Sequence, residues 1–312
     1  VSAFMSGKVL KVPAGHISAV VGLEHRVDEI ASNPNEIARD GLFFGFFSDG
    51  GAVGKKFVRE AYAEVDIPVV ADKPFFRQVD VNLSGHILED EFYGGASTYS
   101  AKVGWRPFES LLLKASYGTS FRSPNLRENF LQPQTGFLTL TDPCVVPANS
   151  LVTDLGNPDG PDIYDPSRDA RDADTIARCQ SEGLDPFNLG AGGSNSFSTE
   201  IATTGSLELD PEESTSFTTG FSFEQPFTDA FDLEFGATYY DIEVTNSVVR
   251  PAAQFIINDC YVNEREGRSP FCDRISRDDD NLLDGVNAAF INLNEDQVRG
   301  IDVNARFAKE FT

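Results

Sequence analysis

Apolar and polar residues alternate with a period of two in segment after segment of this chain, which predicts amphipathic β-strands. In "LLLKASYG", Leu111, Leu113, Ala115 and Tyr117 share one parity, and Leu112, Lys114, Ser116 and Gly118 the other. "VREAYAEVDIPV" sets Ala61, Ala63, Val65, Ile67 and Val69 against Glu60, Tyr62, Glu64 and Asp66. "QVDVNLSGHILED", "YSAKVGWRP", "STSFTTGFSFEQ", "FDLEFGATYYDIEV" and "VRGIDVNARFAKEF" repeat the habit, with "HISAVVGLEHRV" a weaker case and residues 1–11 a further strand. About nine strands are expected, at 1–11, 17–28, 56–69, 78–89, 97–106, 110–120, 214–225, 231–247 and 297–311. Most have nine or more residues, against about five or six in ordinary globular sheets.

The links between these strands alternate in length. "PAG", "ADKPFF", "PFE" and "PFTDA" are short, whereas those near 29–55, 121–213 and 248–296 are long; the link at 90–96 is short but falls in the long series. In an up-and-down meander alternate links lie at one end, so nearly all the irregular chain gathers there. Short turns at one end and long loops at the other are the asymmetry of an outer-membrane β-barrel, with the apolar parity against lipid and the polar parity toward the lumen. Glu60, Glu64, Asp66, Lys102, Lys114, Asp232 and Glu234 are then lumen residues, as is His86. A soluble antiparallel sheet shows the same alternation, but has no reason for such long strands or for loops far beyond about 15 residues.

Composition agrees with a turn-rich β protein: 26 Phe and 8 Tyr stand beside one Trp, one Met, 26 Gly and 17 Pro in 312 residues. The net charge of −24 excludes nucleic acid as a partner, since a phosphate backbone requires clustered Lys and Arg. No run reaches the roughly 18 to 20 apolar residues of a membrane helix, "GLFFGFFSDGG" being far too short, and "VSAFMSGKVLKVPAG" does not read as a signal peptide. Cys144 and Cys179 fall in one long loop and Cys260 and Cys272 in another, which reads as two local disulfides and an oxidising compartment. In the chain-entropy description such links stabilise by roughly 3 to 4 kcal/mol each. Neither pair has the spacing or neighbouring His of a zinc site.

Four stretches in order resemble the TonB-dependent receptors, the 22-stranded plugged transporters of the Gram-negative outer membrane: "WRPFESLLLKASYGTSFRSPNLRENF" from Trp105, "LELDPEESTSFTTGF" from Leu207, "LEFGATYYDIEVTNSV" from Leu233 and "NLNEDQVRGIDVNARF" from Asn292. The resemblance implies an all-β fold, an antiparallel transmembrane barrel of which residues 1–312 form a partial section, and an outer-membrane location. It also implies import of a scarce ligand (siderophore, vitamin or oligosaccharide) energised by the TonB complex. The plug, the TonB box, the first strands and the last strand of that family find no counterpart here, so the chain is expected to be a middle and later section. A passive porin and a secreted β-rich binding module are the alternatives.

No enzyme is expected. His16, His25 and His86 are dispersed, no G-x-S-x-G, H-E-x-x-H or P-loop pattern occurs, and no cofactor is implied. Loops on a rigid scaffold are the functional candidates. Phe43, Phe44, Phe46 and Phe47 offer aromatic faces to a sugar or apolar ligand, and could equally pack beneath neighbouring loops. Arg122 and Arg127 offer charge to an anionic one, unless they pair with nearby acids such as Glu128. Acidic runs at 159–174 and 278–284 lack a dedicated calcium spacing and read as solvated loops.

Overall fold

The computed structural model describes residues 1–43, 48–157, 159–160, 162–190, 193–228, 230–263 and 266–309. Nine long strands form one antiparallel sheet in chain order: β1 (Ser2–Val12), β2 (Gly15–Ser32), β3 (Ala52–Lys73), β4 (Phe76–Asp90), β5 (Gly94–Phe108), β6 (Leu111–Arg122), β7 (Glu212–Glu224), β8 (Asp232–Val249) and β9 (Ile291–Ala308). All nine segments expected from the alternation are present. Most are longer than the pattern indicated, β3 reaching 22 residues, because the ladder continues above the apolar band into positions where alternation is no longer required.

Register fixes the faces. Val65, Leu83, Ala101, Tyr117 and Phe217 lie opposite one another across five strands, and Asp66, Asn82, Lys102, Ser116 and Thr218 form the neighbouring row on the other face. The apolar rows are exposed, Leu83 by 42% and Ile301 by 67%, as a face that meets lipid must be. The polar face satisfies itself across strands. Asn82 Nδ2 donates to Glu64 and Asp66 at 2.6 Å each, and the hydroxyls of Ser84 and Ser100 (2.7 Å) and Ser116 and Thr218 (2.6 Å) pair. Among the described residues no helix is long and apolar enough to cross a membrane; this wall crosses with strands.

At the short-turn end aromatic rings gather. Phe76 stacks on Trp105 at 5.6 Å, Phe75 meets Phe108 edge-on at 5.6 Å, and Trp105 Nε1 donates to the Phe75 carbonyl at 3.0 Å. Aromatic rings at that level form one girdle of a membrane barrel.

The opposite end holds the surprise of the fold. The long connections, 33–51, 123–211 and 250–290, are built rather than irregular. Pieces of all three assemble a second sheet of five strands in the order Ile275–Arg277, Leu283–Asn287, Ser196–Thr203, Gln134–Thr141, Ser48–Asp49. Beneath it lies the main apolar core of the described chain, and it contains no wall residue: Leu140, Val145, Leu184, Ile256, Ile257, Tyr261 and Val286 pack around both cystines, Cys144–Cys179 and Cys260–Cys272. The helix Ala253–Tyr261 supplies Ala253, Ile256, Ile257, Cys260 and Tyr261, the three- and four-residue spacing of a single buried stripe.

Candidate functional site

The cap is fastened to the wall by charge. Lys56, 5% exposed, donates to Asp90 at 3.1 Å, to the Ser123 hydroxyl at 2.8 Å and to the Pro124 carbonyl at 2.8 Å. It thereby ties the upper ends of β3 and β4 to the point where the longest loop leaves β6. Asn125 caps the short helix Leu126–Phe130, and Glu128 reaches back to the Asn125 amide at 2.7 Å, a reciprocal capping box. The Phe130 ring lies over Gly54, where a Cβ would come within 2.3 Å of it, so β3 needs a residue without a side chain there. Beside this joint Tyr93 donates to Asn129 at 2.7 Å, and burial together with the charge of Asp90 pushes its phenol up to about 12.

Arg122 belongs to the same joint. Its guanidinium donates to Glu128 at 2.9 Å and to Glu212 at 2.7 Å, joining β6, the short helix and β7. Of the two readings open for Arg122, pairing with its neighbours is the one the geometry carries. Arg127 is exposed and donates to Gln134 Oε1 at 3.0 Å. Gln134 in turn donates to Asp49, which also accepts from the Gly51 amide at 2.8 Å. The Gln134 hydrogen bond, the Gly51 amide and the charge of Arg127 hold the Asp49 carboxyl below its ordinary range, against the effect of burial.

Two cavities flank that relay. The upper one, about 880 Å³, borders the outer sheet and is lined by Phe43, Asp49, Phe137, Leu138, Ile201 and Arg250, among others. The lower, about 590 Å³, lies on the polar face of the wall and takes in Arg122, Arg127, Lys56, Glu60 and Phe121. Of the loop residues singled out in the sequence, Phe43 thus falls in the upper cavity, while Arg122 and Arg127 fall in the lower. Phe44, Phe46 and Phe47 lie outside the described residues.

Gln134, Phe137, Leu138 and Arg250 were not singled out by the sequence pattern. The alternation in "TGFLTLT" and "SFSTEIAT" was the available signal, but it is short and sits inside loops read as irregular. Many acids of these loops are spent on structure. Asp165 accepts from the Ser167 amide at 2.9 Å, Asp172 caps the helix Ala173–Ser181, and Asp278 accepts from the amides of Asp280 and Leu282 at 3.0 and 2.8 Å. Asp142, wholly buried, receives Arg277 at 2.6 and 3.1 Å and so clamps the second long loop to the third. Gln254 adds a further clasp, its side chain both donating to and accepting from the Thr141 backbone, at 3.0 and 2.8 Å.

A sheet with one lipid-facing side, tight aromatic-edged turns below and a packed cap above is the wall of an outer-membrane barrel. The family model for the TonB-dependent receptor-like β-barrel matches residues 61–312, and the chain belongs to that family. The family is one of receptors rather than enzymes, and its members reside in the Gram-negative outer membrane. No curated protein matches the chain.

Solved structures of similar fold include the siderophore receptor PirA from Acinetobacter baumannii, at 12% identity and a TM-score of 0.50, with 97% of this chain and 34% of that one covered. A ferric enterobactin receptor mutant of PfeA from Pseudomonas aeruginosa in complex with enterobactin gives 12% identity and 0.51, covering 97% and 32%. The Serratia marcescens hemophore receptor HasR, as a double mutant with its hemophore HasA and heme, gives 13% and 0.51, covering 98% and 38%. At such identities the likeness concerns the fold. The chain spans about a third of the length of these receptors.

Proposed function

We propose that this chain is the wall and outer cap of a TonB-dependent importer, which captures a scarce ligand in the cap and admits it with energy relayed by the TonB complex. Residues 1–312 are then a partial barrel, the loops near 29–55, 121–213 and 248–296 are its outer face, and no reaction is catalysed. The observation that carries the reading is the joining of three long loops into one roof with a cavity of about 880 Å³ at its border. A passive pore has no use for a roof pinned by two cystines and a buried ion pair. Siderophores, vitamins and oligosaccharides are of a size to occupy such a cavity, with Phe43 offering an aromatic face and Arg127 and Arg250 positive charge nearby.

The test is uptake by cells carrying the full-length receptor, with and without functional TonB, using labelled ferric siderophores, a corrinoid and oligosaccharides. Accumulation that requires both receptor and TonB is expected for one of these classes. Passage of small solutes through the purified protein in liposomes, at a rate proportional to concentration and indifferent to TonB, would establish the passive pore instead.

A further inference from the structure

The chemistry of the upper cavity follows from what its polar groups already hold. Of the sixteen described residues that line it, Asp49 and Arg250 alone are charged. The four residues between Phe43 and Ser48 are Phe, Gly, Phe and Phe, so that stretch brings no charge of its own.

Ser48, Thr135 and Gln134 are spent on one another and on Asp49. The hydroxyls of Ser48 and Thr135 pair at 2.6 Å, and Gln134 accepts from Arg127 while donating to Asp49. Asp49 also takes the Gly51 amide at 2.8 Å, and the charge of Arg127 answers its own from outside the cavity. Arg250 is different. It is exposed and, among the described residues, makes no hydrogen bond and no ion pair. Arg250 to Ala253 form a continuous part of the lining, so this cation stands where the helix Ala253–Tyr261 begins. The helix macrodipole opposes a base at that end and favours an anion beside it.

Most of the remaining lining is apolar. Phe137 and Leu138 are 59% and 52% exposed, and Phe43, Ile201 and Ala288 join them. Apolar surface left open in a concavity marks a place where a ligand packs, and the volume falls within the roughly 300 to 1,000 Å³ of small-molecule sites. A carbohydrate would bring many hydroxyls to a lining whose polar side chains are mostly engaged, and each one left without a partner counts against binding. An apolar body with a single anionic group makes no such demand.

We propose that the upper cavity binds a ligand with an apolar, ring-bearing body and one anionic group, the body packing on Phe137, Leu138 and Ile201 and the anion pairing with Arg250. This rests on the reading of the cap as a capture site and gives its ligand a chemistry. Carboxylate, sulfonate and phosphate all satisfy Arg250, and an oligosaccharide does not satisfy the rest.

The probes are naphthoate, naphthylmethanol and naphthylmethylammonium, which share one ring system and differ in charge, together with maltohexaose. Each is dialysed to equilibrium against the full-length receptor in detergent, with micelles alone as the blank. Naphthoate should bind saturably with a Kd of about 1 mM, as suits a fragment of the whole ligand. It should bind about tenfold more tightly than the alcohol or the ammonium. Arg250→Gln should bring naphthoate down to the level of the alcohol and leave the alcohol where it was, while Arg250→Lys keeps the order of the three. Leu138→Asn should weaken naphthoate and the alcohol alike, by about threefold to tenfold. Unaltered exchange of the buried Ile256 and Ile257 amides shows the cap of each variant to be intact, and the three probes compared on the wild-type receptor need no variant to fold.

Four results overturn the proposal: no saturable naphthoate binding above the blank, ammonium bound as tightly as carboxylate, which would give the chemistry to Asp49, unchanged naphthoate affinity in Arg250→Gln, or displacement of naphthoate by maltohexaose. Dependence of uptake on TonB is read separately. A receptor that imports another ligand with TonB while its cavity ignores naphthoate refutes only the cavity chemistry. Apolar anions bound there but entering cells without TonB refute only the importer.

Discussion

Replacing Arg277 by methionine is the sharpest way to ask whether the cap is one cooperative body. The substitution keeps much of the volume and removes the guanidinium that clamps Asp142, 135 residues away in sequence, at 2.6 and 3.1 Å. Asp142 is wholly buried, and among the described residues only the Cys144 amide, at 2.9 Å, would still serve it. Leaving a buried charge without its partner costs about 3 to 5 kcal/mol. At about 1.4 kcal/mol per factor of ten, amide exchange governed by opening of the cap should accelerate between about a hundredfold and about four thousandfold. The amides of Ile256 and Ile257, both fully buried on the helix that follows the third loop's exit from β8, are the reporters. Mass-resolved exchange on the receptor in detergent measures it, with amides of β4–β6 as the internal reference. Adding Asp142→Asn to Arg277→Met removes the stranded charge while leaving an acceptor for Cys144, and should restore about 2 kcal/mol of the loss. Exchange within about threefold of wild type in the single variant, or no recovery in the double, would refute the claim that this pair holds the two loops together.

Other consequences follow from the same cap and from the wall. Burial pushes the Asp169 carboxyl up, but hydrogen bonds from the Arg171 side chain and amide and from Tyr164 more than reverse this and hold it below its ordinary range. Its stabilisation is therefore complete above the unfolded value of about 4 and is lost as pH falls through the lower folded value; protease cleavage within residues 144–190 should rise there, and Asp169→Asn should remove that part of the pH dependence. Serine replacement of Cys144 and Cys179, 35 residues apart, should cost about 4 kcal/mol, and replacement of Cys260 and Cys272, 12 apart, about 3 kcal/mol, as read from denaturant midpoints. Leu83, midway along β4 on the lipid side, should cost about 2 to 4 kcal/mol as Leu83→Arg, whereas Asn82→Lys, facing Glu64 and Asp66 in the lumen, should stay within about 1 kcal/mol. Fluorescence of the single Trp, Trp105, during unfolding from liposomes reports both.

The wall was legible because each of its strands obeys one simple demand, lipid on one side and water on the other. Val65, Leu83, Ala101 and Tyr117 answer that demand locally, with no knowledge of their partners. The cap obeys no such demand. Leu140 is buried because Ile256, Val286 and the cystines converge on it from three separate stretches of chain, and nothing in "TGFLTLT" says that Ser196–Thr203 will lie beside it. The cysteines were the one local trace of that packing, and their grouping by loop did identify the bridges. Arg122 shows the converse: its chemistry was visible in "FRSPNLREN", but its engagement with Glu212, 90 residues on, needed the register of β6 against β7.

The outer sheet draws on all three loops as it is crossed: two strands from the third long connection, two from the second, one from the first. No loop owns a complete layer, and the core beneath is shared by the second and third. Shortening or exchanging one loop on its own would strip a strand or half a core from the others. Diversification of such a receptor must then proceed either by point changes on the roof's surface or by replacement of all three connections together, which makes the cap, and not the individual loop, the unit of inheritance and the unit to graft.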